Sequence, residues 1–341
     1  MSRGWRTATV VLVLVGLPLL VMGGGAAWFW WQVDHCGGGG KVVEMQIERG
    51  WGVPKIGDEL HRRGLIGNSL VFSVYSRLNG DTKFEAGTYE MHAHMCVRDA
   101  VRVLKAKPKI AYTRLTIPPG VWLTEIADRV GKLPGRHADA FLDATRNNAV
   151  RSAFEPPNVN NLEGLLWPDT YNIAAEEDEI QVLGTLAKQF DKKAEALGLA
   201  NANVQGHPAY DIIIVASLIE SEAKTANDRP LIASVIYNRL ARGMPLQIDA
   251  TLIYARGDPH NRKLSTRDEL IPSLYNTYLH TGLPPTPIAA VSEASLRAAL
   301  APASTPYLYY VVIDKQGDHA FSTTLDEQNQ NIAKAKAAGL P

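Results

Sequence analysis

The segment HPAYDIIIVASLIESEA, beginning at His207, places carboxylates directly after an apolar helical run. Pro208 suits a first helical turn, and residues 212–219 are apolar around most of the circumference, the pattern of a buried helix. Glu220 follows that run and shares a helix face with Ile213, Ala216 and Ser217, so its carboxylate should emerge where core meets cavity. Desolvation at such a boundary favours a neutral carboxyl, which can donate its proton to a glycosidic oxygen as a general acid. Glu222 lies about 200° further round the helix and is expected to be solvated. Read alone, these residues leave a surface or ion-paired role for Glu220 open. A second stretch, LEGLLWPDTY from Leu162, reads as a strand or bend roofing a cleft, with Glu163 either a solvated edge residue or a cleft group.

The elements that must hold these groups begin with a membrane signal. Between Arg6 and Asp34 there is no charged residue, and residues 8–31 form an apolar run long enough to cross a bilayer, for which about 20 residues suffice. Trp28, Trp30 and Trp31 cluster at its far end as in an interfacial aromatic belt, and Arg3 and Arg6 leave residues 1–7 cytoplasmic. A cleaved signal peptide, with Gly25 and Ala27 before the cut, is the alternative; both readings export the body. Residues 32–41 form a Gly-rich linker, read as a flexible tether. Lys plus Arg equals Asp plus Glu, 35 against 35, so charge gives no ground for a nucleic-acid partner. Cys36 and Cys96 make no disulfide framework, and a single bridge between them stays open.

Two segments of the body resemble each other: MQIERGWGVPKIGDEL from Met45 and LTIPPGVWLTEIADRV from Leu115. Each leads from a β-prone residue through a glycine (Gly50, Gly120) into an apolar helical stripe, Val53, Ile56 and Leu60 in one, Leu123, Ile126 and Val130 in the other. A strand-turn-helix unit is thus used twice. With a helix from Ser69, a strand at GTYEM and a helix from Val97, residues 42–158 resemble LysM-like modules, whose contact with glycan stays open. The composition changes near Asn160, so residues 159–341 are expected to form the catalytic domain. His92, His94 and Cys96 alternate as they would on one strand face, but no further ligand accompanies them and no metal is expected.

ASLIESEA, DRPLIASVIYNRLARGMPLQIDATLIYARG, SLYNTYLHTGLPPTPIA, YLYYVV and HAFSTTLDEQN occur in order and together resemble the YceG-like family, as does LEGLLWPDTY. The resemblance covers nearly the whole chain. It implies an α+β protein with an N-terminal transmembrane helix, a small LysM-like module and a mixed lytic transglycosylase domain facing the periplasm. The implied activity is internal cleavage of nascent peptidoglycan strands, leaving 1,6-anhydro-N-acetylmuramic acid ends and terminating elongation. Glu220 matches the family's catalytic glutamate, and glycan-polymerising penicillin-binding proteins are the implied partners. Two positions depart from the family pattern: Gln328 stands where relatives commonly carry a histidine, and Ala250 follows Asp249 where a proline is usual. One carboxyl suffices for this chemistry, since the muramic acid C6 hydroxyl supplies the nucleophile.

Within the matched motifs, Glu163, Asn238, Gln247, Asp249, Tyr254, Asn276 and Thr277 are the candidates for holding glycan. Each has a structural alternative: Asn238 can bridge or cap a helix, Asp249 can hold a turn, and Tyr275 and Tyr278 can be core aromatics. No nucleotide or haem motif is visible and no cofactor is expected. Two other functions stay open: a hydrolytic muramidase pairing Glu220 with Asp249 or Glu163, and a non-catalytic peptidoglycan-binding anchor.

Overall fold

The computed structural model describes residues 17–35, 37, 39–48, 50–106, 108, 112–261 and 263–340. Arg3, Arg6, residues 8–16 of the apolar run, and Cys36 lie outside them. Two compact units follow one another, Met1–Ala111 and Tyr112–Pro341.

In the first unit, helix α1 (Leu17–Asp34) leads to strand β1 (Val42–Ile47), helices α2 (Val53–Arg62) and α3 (Ser69–Leu78), strand β2 (Gly87–His92) and helix α4 (Val97–Lys105). Strands β1 and β2 pair antiparallel with Met45 opposite Tyr89. The expected stripe Val53, Ile56 and Leu60 is buried on them, and Asn68 caps α3 by accepting from Leu70 N and Val71 N. Two expectations change here, the free tether and the strand face shared by His92, His94 and Cys96. Among the described residues no helix is long and apolar enough to cross a membrane. The end of helix α1 packs on the body: Val33 is fully buried, Trp30 meets the Tyr75 ring edge-on at 6.3 Å, and Asp34 pairs with Arg98 at 2.7 Å. Described residues of the linker are bonded to the body: Gly37 N donates to His94 O at 2.8 Å and Ala93 N to Lys41 O at 3.0 Å. His92, His94 and Cys96 do not share a strand face either, since β2 ends at His92 and His94 turns with φ 59°. Cys96 is disulfide-bonded.

The second unit opens with β3 (Tyr112–Thr116), α5 (Leu123–Gly131), α6 (Ala138–Arg146) and β4 (Thr170–Ala174). Strands β3 and β4 pair antiparallel with Leu115 opposite Tyr171. The strand-turn-helix repeat therefore extends to a whole βααβ piece. Corresponding residues occupy corresponding places: the Tyr89 hydroxyl donates to Glu85 O at 2.9 Å, and the Tyr171 hydroxyl to Trp167 O at 2.7 Å. Both glycine turns take positive φ, 88° at Gly50 and 77° at Gly120, which a side chain would strain.

The second piece belongs to the larger core. Leu123, Ile126, Val130 and Phe141 share one buried cluster with Leu166, Val182, Ile213 and Leu296. The boundary expected near Asn160 thus falls at Ala111/Tyr112, because β3 finds its partner strand only at residue 170. Helix α7 (Glu179–Ala196), capped by Asp178, and a two-residue ribbon of β5 (Asn203–Val204) and β6 (His207–Pro208) then lead to the central helix α8 (Ala209–Glu222). All eight residues from 212 to 219 are buried. Around α8 lie α9 (Asp228–Ala241), α10 (Asp249–Arg256) and α11 (Glu293–Leu300), followed by the hairpin β7 (Tyr309–Val312) and β8 (His319–Ser322) and a closing helix α12 (Leu325–Ala337). In β7–β8, Val312 stands opposite His319 and Tyr310 opposite Phe321.

Candidate functional site

Helix α8 ends with its two glutamates in different surroundings. Ser217 and Glu220, three residues apart and so on one face, hold the segment that precedes α11. Ile288 N donates to the Ser217 hydroxyl at 3.1 Å, and Ser292 N donates to Glu220 Oε2 at 3.0 Å. The Ser292 hydroxyl donates to the same oxygen. Ser292 is also the N-cap of α11, accepting from Ser295 N. Gly120 N and Ala290 O, with Ala290 N and Val121 O, close the same segment onto the glycine turn at 2.8 Å each. Glu220 thus lines a small cleft of about 240 Å³ with Gly120, Trp122, Glu125, Ser221 and Ile253.

Glu222 faces the other side and is less solvated than expected. It is half-buried and lines a cleft of about 460 Å³ with Arg239, Gln247, Asp249, Tyr278, Tyr310 and His319. Only this second volume falls in the range of about 300–1,000 Å³ usual for ligand clefts. The Tyr310 hydroxyl donates to Glu222 Oε2 at 3.2 Å. Burial pushes the Glu222 carboxyl up to about 7, and the charge of Asp249 adds to the rise, while the Tyr310 hydroxyl and the Ala250 N–H pull it back. The error has a plain source. A helical wheel says that residues 220 and 222 point apart, but not which direction a later hairpin will cover.

Asp249 and Gln247, two of the expected residues, reach this cleft. Asp249 opens α10 and accepts from the Tyr278 hydroxyl at 2.5 Å. Gln247 sits at φ 52°, a left-handed conformation that costs a non-glycine residue of order 1–3 kcal/mol and marks sites the surroundings enforce. Thr277 does the enforcing from outside: Gln247 N donates to Thr277 O, Ile248 N to the Thr277 hydroxyl, and that hydroxyl meets Thr251 at 2.8 Å.

The other expected residues bond within the protein. Asn276 is fully buried and its amide donates to Glu269 O and Ile271 O. Asn238 donates to Thr305 O and Tyr307 O, tying α9 to the strand approach. Glu163 is buried and accepts from Leu123 N, the first amide of α5, at 2.9 and 3.0 Å, and from the Tyr254 hydroxyl at 3.1 Å. Burial raises its carboxyl to about 7 against the pull of those donors. Tyr254 packs between Trp122 and Tyr275. Gln328 contacts no reacting group: its amide donates to Tyr310 O and its oxygen accepts from Ser322, so it clamps the hairpin.

Sequence reasoning missed Arg239, Tyr278, Tyr310 and His319 as cleft residues. Arg239 is buried, donating to Leu308 O at 2.7 Å and Leu246 O at 2.8 Å and lying 5.0 Å over the Tyr309 ring. Burial lowers its guanidinium from the ordinary value. Its position in a helix pattern carried no hint of this, since one carbonyl belongs to the turn just after its helix and the other to a segment sixty-nine residues on.

A carboxyl raised by burial beside hydroxyls, an amide and a second carboxylate brings together the groups that general acid–base chemistry uses. The chain belongs to the YceG-like family, whose family model matches residues 45–334. It is 32% identical over 304 residues to an endolytic murein transglycosylase of Bacillus subtilis (strain 168), covering 85% of this chain and 83% of that protein. An endolytic murein transglycosylase of Streptococcus pneumoniae (strain ATCC BAA-255 / R6) is 29% identical over 325 residues, 86% of this chain and 58% of its own length. The crystal structure of a YceG-like protein from Listeria monocytogenes superposes with a TM-score of 0.57 at 31% identity, covering 86% of this chain and 99% of that one.

Proposed function

We propose that this chain is an endolytic lytic transglycosylase of peptidoglycan, with Glu222 as its general acid and base. The observation that carries the assignment is the Glu222 carboxyl, raised to about 7 in a cleft lined by Asp249, Gln247 and Tyr278. The curated relatives bear the name of that activity. Neutral Glu222 protonates the oxygen leaving C1 of N-acetylmuramic acid. The resulting carboxylate then accepts the proton of the same sugar's C6 hydroxyl as that oxygen bonds to C1, closing the 1,6-anhydro ring. Asp249 and Gln247 hold the sugar beside it, while Glu163, Asn238, Tyr254, Asn276 and Thr277 support the cleft from behind. The rate should fall as pH rises through about 7, where Glu222 loses its proton.

A second reading keeps Glu220 as the acid, because it too lines a cleft, beside Trp122 and Glu125. Product masses and two variants decide. Digestion of uncrosslinked glycan strands should yield anhydro ends, one water lighter than the reducing ends of a muramidase. Glu222→Gln should lose about 10²-fold to 10⁴-fold in rate with its melting temperature kept. Glu220→Gln keeps an acceptor oxygen for Ser292 and should stay within a few-fold of wild type. The reverse ranking would transfer the role to Glu220, and loss in neither would remove the enzyme reading.

The apolar run 8–31 after Arg3 and Arg6 supports a single-pass anchor in the cytoplasmic membrane with the body outside. The βααβ order of the first unit supports a LysM-like glycan-holding module. Tethering raises the effective concentration of strands emerging at the membrane, as a partner of glycan-polymerising penicillin-binding proteins requires.

A further inference from the structure

The reaction described above uses neither Asp228 nor His319, yet both are buried beside the Glu222 cleft. Their side chains are 8% and 3% exposed. Asp228 Oδ2 accepts from His319 N at 3.0 Å and meets His319 Nδ1 at 2.8 Å. The two groups come from different elements, the first residue of α9 and the first residue of β8, ninety-one positions apart. With a carboxylate as its partner, Nδ1 is the donor, and the imidazole is fixed in both tautomer and orientation.

What that fixed ring touches is Tyr310. The His319 ring meets the Tyr310 ring edge-to-face, centroids 5.3 Å apart and planes at 86°. The strand register explains why. Val312 is opposite His319, so Tyr310 is its diagonal neighbour on the same face of the hairpin. Phe321, on β8 with His319, flanks Tyr310 at 6.2 Å, and Gln328 holds the Tyr310 carbonyl at 2.9 Å. The tyrosine hydroxyl at the end of this stack donates to Glu222.

We infer that His319, locked by Asp228, is a positioning residue whose ring keeps the Tyr310 hydroxyl on Glu222. The inference rests on Glu222 being the acid. A phenol held in place stabilises the carboxylate that forms when Glu222 gives up its proton, and it aims the carboxyl at the substrate oxygen. A free tyrosine ring would lose that aim to rotation about its side-chain bonds. The charged and titratable groups around Glu222 are Asp249 at the start of α10, Arg239 on α9, Tyr278, Tyr310 on β7 and His319 on β8. Of these, Tyr310 is the one donating a hydrogen bond to the Glu222 carboxyl.

The experiment is a double-mutant cycle on the full chain, with kcat for cleavage of uncrosslinked glycan strands measured against pH. Tyr310→Phe removes the donor, so the alkaline limb should move to higher pH, by on the order of one unit, which is a tenfold change in proton affinity. His319→Asn keeps an N–H close to the Nδ1 position for Asp228 but removes the ring. It should shift the limb in the same direction, and it should add nothing in the Tyr310→Phe background. A merely structural histidine would lower the folded fraction and leave the limb in place. Such a result, or shifts that add in the double variant, would overturn the inference. If His319→Asn fails to fold, His319→Ser carries the test: it keeps a hydroxyl donor for Asp228 without the ring, so the limb should again move to higher pH, and a limb kept at its wild-type pH in the folded protein would overturn the inference. Glu222→Gln is run alongside. If it still cleaves, the assignment of the acid fails, and this outcome is distinct from additive shifts in a protein whose activity depends on Glu222.

Discussion

Two carboxylates end one helix, two residues apart, and the fold treats them differently. Glu220 accepts both the amide and the hydroxyl of Ser292, so it joins Ser217 in fastening the 288–292 segment to α8. Glu222 receives the Tyr310 hydroxyl and the Ala250 N–H and faces Asp249 across an open cleft. Glu220 fastens the segment that precedes α11, while Glu222 faces a second carboxylate across the larger cleft and is pushed toward neutrality. The difference teaches that proximity to an apolar helix run does not identify the acid; the partners do.

The comparison breaks most readily at the rate of cleavage. Glu222→Gln against Glu220→Gln, described above, is the largest expected contrast, about 10²-fold to 10⁴-fold for the former. Next is Asp249→Asn. Removing a negative charge that raises Glu222 should move the alkaline limb of kcat to lower pH, opposite in sign to Tyr310→Phe. A limb that stays in place would show that Asp249 does not act on Glu222.

Glu163 sharpens the comparison on stability. Its carboxyl rises from 4.5 to about 7 through burial, so the folded protein holds a proton that the unfolded chain releases. The stability this contributes is full below about 4.5 and is lost as pH rises through about 7. Glu222 acts with the same sign in the same window. Glu163→Gln should therefore melt with a shallower loss between pH 5 and pH 8 than wild type, and an unchanged slope would refute the buried-proton account. Smallest is Ser292→Ala, which removes the α11 cap and one donor to Glu220. A loss of ~1 kcal/mol in chemical denaturation is expected, with kcat nearly kept. A collapse of kcat without a change in stability would return the catalytic role to Glu220.

The sequence by itself determined what depends on neighbours in the chain. Period and glycine placement revealed the two strand-turn-helix units, down to the buried stripes Val53, Ile56, Leu60 and Leu123, Ile126, Val130. The buried helix 212–219 was legible for the same reason, and the ordered motifs marked the family. Asp249 and Gln247 were legible as polar residues within those motifs, though not as partners of Glu222. Tertiary structure alone decided the rest. The second βααβ piece joined the larger core because β3 pairs with a strand more than fifty residues on, and no local pattern announces such a pairing. Likewise, Glu222 came to line a partly covered cleft because the hairpin carrying Tyr310 and His319 returns some ninety residues later to that side of α8. Local periodicity sets which way a side chain leaves its helix, and long-range packing sets what it meets there.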